Sequence, residues 1–324
     1  MKQTNTPNFG QGQHAIGNEG ILVESAEQFA LRLRAHFSSP GYTPPLLPAV
    51  ALEVHSLSQQ ADVDADKVVA VMRKDPMLAG RVLKIAQSAA FTPASTITSL
   101  RDAVVRLGLR NLSEIAWEVS LGTRVFRSVA YAEPMETVRR HCSICAHLSR
   151  LVASFTPIAS EYAFLCGLLH DVGMAAALIV LGEQKSTAEG LDPTLLGVAL
   201  RQCHQEASAV VARLWKLPPD VQLVLGHHHE VVINGHVHPL AAVVALAEQL
   251  ARDLGVGIVL YGQDCDMTSD SALTRARDAL GFDRGRMENL QQEAKKLIST
   301  LERGAAIAAA KITDDRSPEP RSGR

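Results

Sequence analysis

Leu165-Cys166-Gly167-Leu168-Leu169-His170-Asp171-Val172-Gly173 sets an adjacent His-Asp pair inside an apolar run, with a glycine two residues on. A carboxylate in such surroundings needs a partner, because charge taken out of water unpaired is costly. Two partners fit. A divalent ion can take imidazole and carboxylate from one short stretch. Alternatively, the pair closes a helix, with His170 bonded to a backbone carbonyl.

Composition says what kind of fold surrounds the pair. Hydrophobic residues make up 47% of the 324 and aromatics only 4%, so the apolar content is mostly Ala, Leu and Val. Few β-branched and aromatic runs favour helix over sheet. No alternating strand pattern of any length is visible, and the expected class is all-α. The net charge of −2 gives no basic field to draw in nucleic acid. No apolar run is expected to reach the roughly 18 residues that cross a membrane. The polar start, Met1 to Gly20, lacks the pattern of a signal peptide. Of the five cysteines (Cys142, Cys145, Cys166, Cys203 and Cys265), four lie in helical patterns, which argues against disulfides. These features predict a cytoplasmic protein.

Residues 1–43 read as a disordered N-terminus with one short helix, Ile21 to Phe37, where Phe29, Leu33 and Phe37 recur every fourth residue. Ser38 to Pro48 is a Pro/Gly/Ser boundary. A first helical lobe then spans 44–128. Pro48 precedes a helix over Val50 to Leu57, and Asp64 caps Ala65 to Met72. Asp75-Pro76 starts the next helix, and Ser99 caps Leu100 to Leu107. Gly108 breaks that helix and Asn111 reopens it through Val125. A second lobe spans 136–254, Gly255 to Asp270 reads as a loop, and two helices fill 271–303. Residues 304–324 read as a flexible tail.

The second lobe collects candidate ligands on apolar faces. In the helix Thr137 to Phe155, His141 lies three before Ile144 on the buried face, whereas His147 projects elsewhere and is expected in solvent. In Thr194 to Trp215, His204 shares a face with Leu200, Ala207 and Val211. After Pro218-Pro219, a face set by Val221, Val224 and Leu225 reaches His228, flanked by His227 and His229. In Pro239 to Leu254, Glu248 falls between Val244 and Ala251. Each residue alone reads as a satisfied core group. Together, His141, His170 with Asp171, His204, His228 and Glu248, with His229 as an additional donor, form a nitrogen and oxygen set suited to one or two ions of iron, manganese or zinc. Cys142-Ser143-Ile144-Cys145 lacks a second pair and reads as packing rather than a zinc site. Gly255-Val256-Gly257 lacks the context of a phosphate loop, and Arg139-Arg140 reads as a solvated face.

These residues resemble the HD-domain metal-dependent phosphohydrolases, through His141, Leu168-Leu169-His170-Asp171-Val172-Gly173, His204 and His228-His229-Glu230. The first lobe resembles, more narrowly, the HDOD (HD-related output domain) family. It does so through Leu47-Pro48-Ala49-Val50, Asp75-Pro76-Met77-Leu78, Val82 to Ser88, Ile97 to Val104 and Leu107-Gly108-Leu109-Arg110. The resemblance covers about 44 to 300. It implies an N-terminal helical lobe packed on an HD-like helical lobe. It also implies a regulatory protein of bacterial signalling that acts through protein–protein contacts with a sensor kinase, response regulator or diguanylate cyclase. HDOD proteins often carry an incomplete HD site without demonstrated hydrolysis, but this chain keeps most ligand positions. The last, usually Asp in catalytic relatives, is Glu248, whose extra methylene moves the carboxylate. The alternative is a metal-dependent phosphohydrolase acting on a nucleotide or cyclic dinucleotide. The Gly-Tyr-Pro motif of the cyclic-di-GMP phosphodiesterases is missing.

Overall fold

The computed structural model describes residues 25–88, 97, 99–183, 193–265 and 268–314, with side chains through 303. The disorder expected of residues 1–20, and that of the tail beyond 314, lies outside these residues.

The first lobe is built on α2 (Ala49–Ser58), α3 (Ala65–Met72), α4 (Pro76–Ala86) and α5 (Leu100–Arg124). Helix α2 begins after Pro48 without a side-chain cap, but the other three begin where polar side chains satisfy the orphan amides of a first turn. Asp64 accepts from the Asp66 amide at 2.9 Å, Asp75 from Leu78 at 3.1 Å, and Ser99 from Asp102 at 3.0 Å. Gly108, at φ +71°, kinks α5 as its break in pattern predicts. Just beyond the kink the Asn111 side chain donates to the Leu107 carbonyl at 2.9 Å. The other three helices pack on α5, burying Val68, Met72, Leu78, Val82, Leu112 and Trp117.

The second lobe comprises α6 (Ala132–Ser154), α7 (Ser160–Leu169), α8 (Val172–Glu183), α9 (Pro193–Leu214), α10 (Pro219–Gly226) and α11 (Pro239–Asp253). Helix α6 packs against α7 and α11, and α8 packs against α9. The chain ends in α12 (Asp270–Ala279) and α13 (Arg284–Asp314), the latter lying along α6. Helix α13 runs past its expected end at Leu301, into the stretch read as tail.

The structure corrects several expectations. The N-terminal helix, α1 (Ala26–Phe37), is part of the packed body: it lies on α9 and buries Phe29, Leu33 and Phe37. Two tight hairpins interrupt the helices, β1 (Val232–Ile233) with β2 (His236–Val237) and β3 (Val259–Leu260) with β4 (Gln263–Asp264). Both turn through consecutive positive-φ residues, Asn234-Gly235 and Tyr261-Gly262, the twist that suits two-residue hairpins. Two-residue strands are too short to show alternation, and the second hairpin lies in the stretch read as a loop. The run Ser160–Glu183, with mean hydropathy 2.1, is long and apolar enough by composition to cross a membrane, contrary to expectation. Here it forms α7 and α8, and its most apolar window is 94% buried within the fold.

Candidate metal centre

The donors converge because α6, α10 and α11 pack on α7, and α9 packs on α8. His141 comes from α6 and His170 closes α7; Asp171 bridges α7 to α8, His204 comes from α9, and Glu248 from α11. His228 and His229 lie in the turn after α10, which ends at Gly226, so His228 is not on the helical face expected of it. All of these side chains are buried, from 0% exposed at His170, His204 and His228 to 7% at His229.

Small residues make the convergence possible. A Cβ on Gly173 would stand 2.1 Å from the His204 carbonyl, and one on Gly167 would stand 2.5 Å from the Cys145 carbonyl. Only glycine lets α8 approach α9, and α7 approach α6, this closely. Between α8 and α9 the Ser208 hydroxyl donates to the His170 carbonyl at 2.7 Å and accepts from the Gly173 amide at 2.9 Å. One side chain thus pins the backbone on both sides of the His-Asp pair.

The rings share an orientation that decides their chemistry. Nδ1 faces a backbone carbonyl in His141 (Val256, 2.7 Å), His170 (Gly167, 2.8 Å), His204 (Arg201, 2.8 Å) and His228 (Leu225, 3.0 Å). A carbonyl only accepts, so Nδ1 carries the proton and a neutral ring presents its Nε2 lone pair inward. The helix-end hydrogen bond and the ligand role are therefore compatible: His170 makes the first in the geometry that frees it for the second.

The inward nitrogens crowd one another. His141 Nε2 is 3.2 Å from His170 Nε2, and His204 Nε2 is 3.0 Å from His229 Nε2. Asp171 lies between the pairs. Its Oδ2 is 3.2 Å from His170 Nε2, while Oδ1 is 3.4 Å from His228 Nε2 and 3.6 Å from His204 Nε2. Glu248 Oε1 stands 3.4 Å from His170 Nε2, so the longer side chain still reaches the cluster. The donors fall into two groups, His141, His170, Asp171 and Glu248, and His204, His228 and His229. Each oxygen of Asp171 faces one of them.

Electrostatics keep the cluster rich in lone pairs. Burial pushes His204 down to about 4, with the His228 ring adding to it and Asp171 opposing. Burial likewise pushes His228 down to about 4, helped by its neighbour His229. For Asp171 burial acts upward, but the surrounding imidazoles of His170, His228 and His204 outweigh it and hold the carboxyl well below its ordinary range. Asp171 is thus a buried carboxylate, and two of the rings facing it, His204 and His228, are pushed toward their neutral form. Asp171 Oδ1 and His228 Nε2 are both buried without a hydrogen-bond partner. Lone pairs crowded around a buried anion fit a divalent cation. Two nitrogens on one ion at about 2.1 Å lie roughly 3 Å apart when they subtend a near-right angle, which matches both histidine pairs.

Three contributors escaped the sequence reading. Cys145, read as packing, lies one turn after His141 with Sγ 3.4 Å from its Nε2, and groups with His141 and His170. Thr268 meets His229 Nδ1 at 3.0 Å, and Ser208 clamps the pair as described. The i to i+4 spacing on α6 was the available signal for Cys145; Thr268 and Ser208 come together only in three dimensions. His147, expected in solvent, is half-buried and 3.0 Å from Glu118.

Known proteins share this architecture. An HDOD domain protein of unknown function from Geobacter sulfurreducens superposes with a TM-score of 0.65 at 22% identity, covering 87% of this chain and 98% of its own. A candidate signal transduction protein from Marinobacter aquaeolei gives 0.60 at 21%, covering 88% and 65%. A candidate metal-dependent phosphohydrolase from Shewanella amazonensis gives 0.57 at 21%, covering 78% and 88%. In sequence, an uncharacterized Treponema pallidum protein is 28% identical over 221 residues, which is 65% of this chain and 42% of that relative. The chain therefore spans less than half the length of that relative. Residues 45–231 match the HDOD domain, more than half of the chain: it belongs to the HDOD family.

Proposed function

We propose that this chain is a regulatory protein of bacterial signalling that works by binding other proteins, and that its second lobe is organised around one or two divalent ions of iron, manganese or zinc. His141, His170, Asp171, His204, His228 and Glu248 are the ligands, with His229 as an additional one. The observation that carries this reading is the burial of the whole donor set, none of it more than 7% exposed. A hydrolytic centre keeps a position open to water and substrate, whereas a structural centre is closed. Likeness to a candidate signal transduction protein supports the same reading. A sensor kinase, response regulator or diguanylate cyclase is the kind of partner expected.

Elemental analysis of protein purified without a metal-affinity column tests the centre. Near-stoichiometric iron, manganese or zinc, lost in His170→Ala, is expected. Its absence from the wild type overturns the ligand assignment. Capture by the folded chain of a signalling protein, lost when an exposed residue of this chain is changed, tests the regulatory half.

The second reading is a metal-dependent phosphohydrolase acting on a nucleotide or cyclic dinucleotide. Its support is the division of the donors into two groups on either side of Asp171. A bound ion would supply Lewis acidity there, and on this reading His229 would hold a proton for a leaving oxygen. Phosphoester turnover lost in Asp171→Asn would favour this reading. No turnover by metal-loaded protein leaves the regulatory one.

A further inference from the structure

Two large grooves cut the surface away from the donor cluster, and they differ in charge. In the one along α6 and α13 every arginine and lysine is matched: Arg110 by Glu161, Arg150 by Glu114 and Lys296 by Glu293. The other, of about 490 Å³, lies between the start of α4 and the end of α5. Arg81, Arg124 and Arg127 line it, and Asp75 is the one carboxylate among its described lining residues. Both oxygens of Asp75 are taken: Oδ1 accepts from the Leu78 amide at 3.1 Å and Oδ2 from Arg124 Nη2 at 2.7 Å. Arg81 and Arg127 are exposed, and neither makes a hydrogen bond or ion pair with any described residue.

Three guanidinium groups against one carboxylate leave a local surplus of positive charge, in a chain whose net charge is −2. Like charges gathered in one concavity repel, and an entering anion relieves that repulsion. Guanidinium forks suit planar oxygen acceptors such as carboxylates. The rest of the lining narrows the choice. Leu78 is buried, Val119 is half-buried, and Met77 is 69% exposed. A bare inorganic anion would leave this apolar surface uncovered, whereas a flexible thioether adapts to apolar side chains of a partner. Among the described residues no aromatic side chain lines the groove, so a nucleobase has nothing to stack on. The negative net charge also opposes a nucleic acid at a distance.

We propose that this groove docks an acidic segment of a partner protein, in which Asp or Glu side chains flank an apolar one. The carboxylates meet Arg81 and Arg127, the apolar side chain lies against Met77 and Val119, and Arg124 stays with Asp75. The inference rests on the reading of this chain as a protein that works by binding other proteins, and it gives that reading a face and a charge.

The probe is a fluorescein-labelled peptide repeating Glu-Glu-Leu, titrated with the full chain by anisotropy. A Lys-Lys-Leu peptide, a Glu-Glu-Ser peptide and a short single-stranded oligonucleotide are the comparisons. Saturable binding of the Glu-Glu-Leu peptide is expected, weaker for Glu-Glu-Ser and absent for Lys-Lys-Leu. It should also weaken between about 0.01 M and 0.15 M salt, as the screening length falls from about 30 Å to about 8 Å. Arg81→Gln combined with Arg127→Gln should weaken it about tenfold. Arg284→Gln combined with Lys295→Gln, which removes the same charge from α13, should not. No saturable binding, equal loss in the two double variants, or tighter binding of the oligonucleotide overturns the groove. If the chain captures a signalling protein and capture is unchanged in Arg81→Gln with Arg127→Gln, the regulatory reading stands and this face is overturned. Peptide binding as expected, by a chain that captures no signalling protein, counts against the regulatory reading alone.

Discussion

The two lobes are built from similar helices but fixed by different means. In the first lobe, α3, α4 and α5 each begin on a side chain that caps their own first turn. In the second lobe, α6, α7, α10 and α11 have no side-chain cap at their N-termini. They are held by near-total burial and by a polar cluster that draws a residue from each of several segments. A capped helix carries part of its stability locally, whereas an uncapped one depends on what it packs against. The first lobe should therefore respond to single changes in small, separable steps. The second should respond as a unit.

The largest effect is expected at Gly173. An alanine there puts a methyl 2.1 Å from the His204 carbonyl, and backbone cannot yield as a flexible side chain can. Gly173→Ala should fail to accumulate as folded protein, or unfold at much lower urea, while Gly80→Ala, with open space at its Cβ, should not. Stripping the metal comes next. An ion present at 1,000 times its dissociation constant stabilises by about 4 kcal/mol, so chelation should lower Tm. Hydrogen exchange should then rise in α6 to α11 well before it rises in α2 to α5. Uniform loosening of both lobes would break the contrast.

Acid gives a smaller, graded effect on the metal-free protein. His204 and His228 titrate near 4 when folded, against an ordinary value of 6.5, so between these values the unfolded chain binds more protons. Stability is then fully present above pH 6.5 and falls as pH drops toward about 4, by about 1.4 kcal/mol per pH unit for each ring at most. Urea titrations across that window, repeated on His228→Gln, should show the slope shrink. The smallest effect belongs to the first lobe. Asp75 caps α4 and meets Arg124 Nη2 at 2.7 Å, so Asp75→Ala should cost roughly 1–2 kcal/mol by urea unfolding and leave metal content unchanged.

This contrast also explains what could be read without coordinates. Asp64, Asp75-Pro76, Ser99 and Gly108 are local signals, and the helices of the first lobe begin and bend where those residues say. The cluster was legible for a different reason. A histidine or carboxylate on an apolar face has to be satisfied by something, and five such faces point to a common solution. Contacts made across the chain were not legible: Ser208 on the His-Asp backbone, Thr268 on His229, and Glu118 beside His147. The association of α1 with α9 was hidden behind the Pro/Gly stretch after Phe37, which looks like a boundary but is only a turn. Asn234-Gly235, a dipeptide suited to a two-residue hairpin, is the local signal for β1 and β2 that the sequence reading leaves out.

The run Ser160–Glu183 has a further consequence while the chain is being made. It emerges from the ribosome before α9 and α11, the later helices that will cover it, and until then only earlier elements such as α5 and α6 are there to shield it. A nascent segment of that length and hydropathy is a candidate for membrane insertion machinery. His170 and Asp171 stand at its midpoint, where a single aspartate opposes insertion by about 3 kcal/mol. The pair that organises the folded lobe also works against insertion of the unfinished chain.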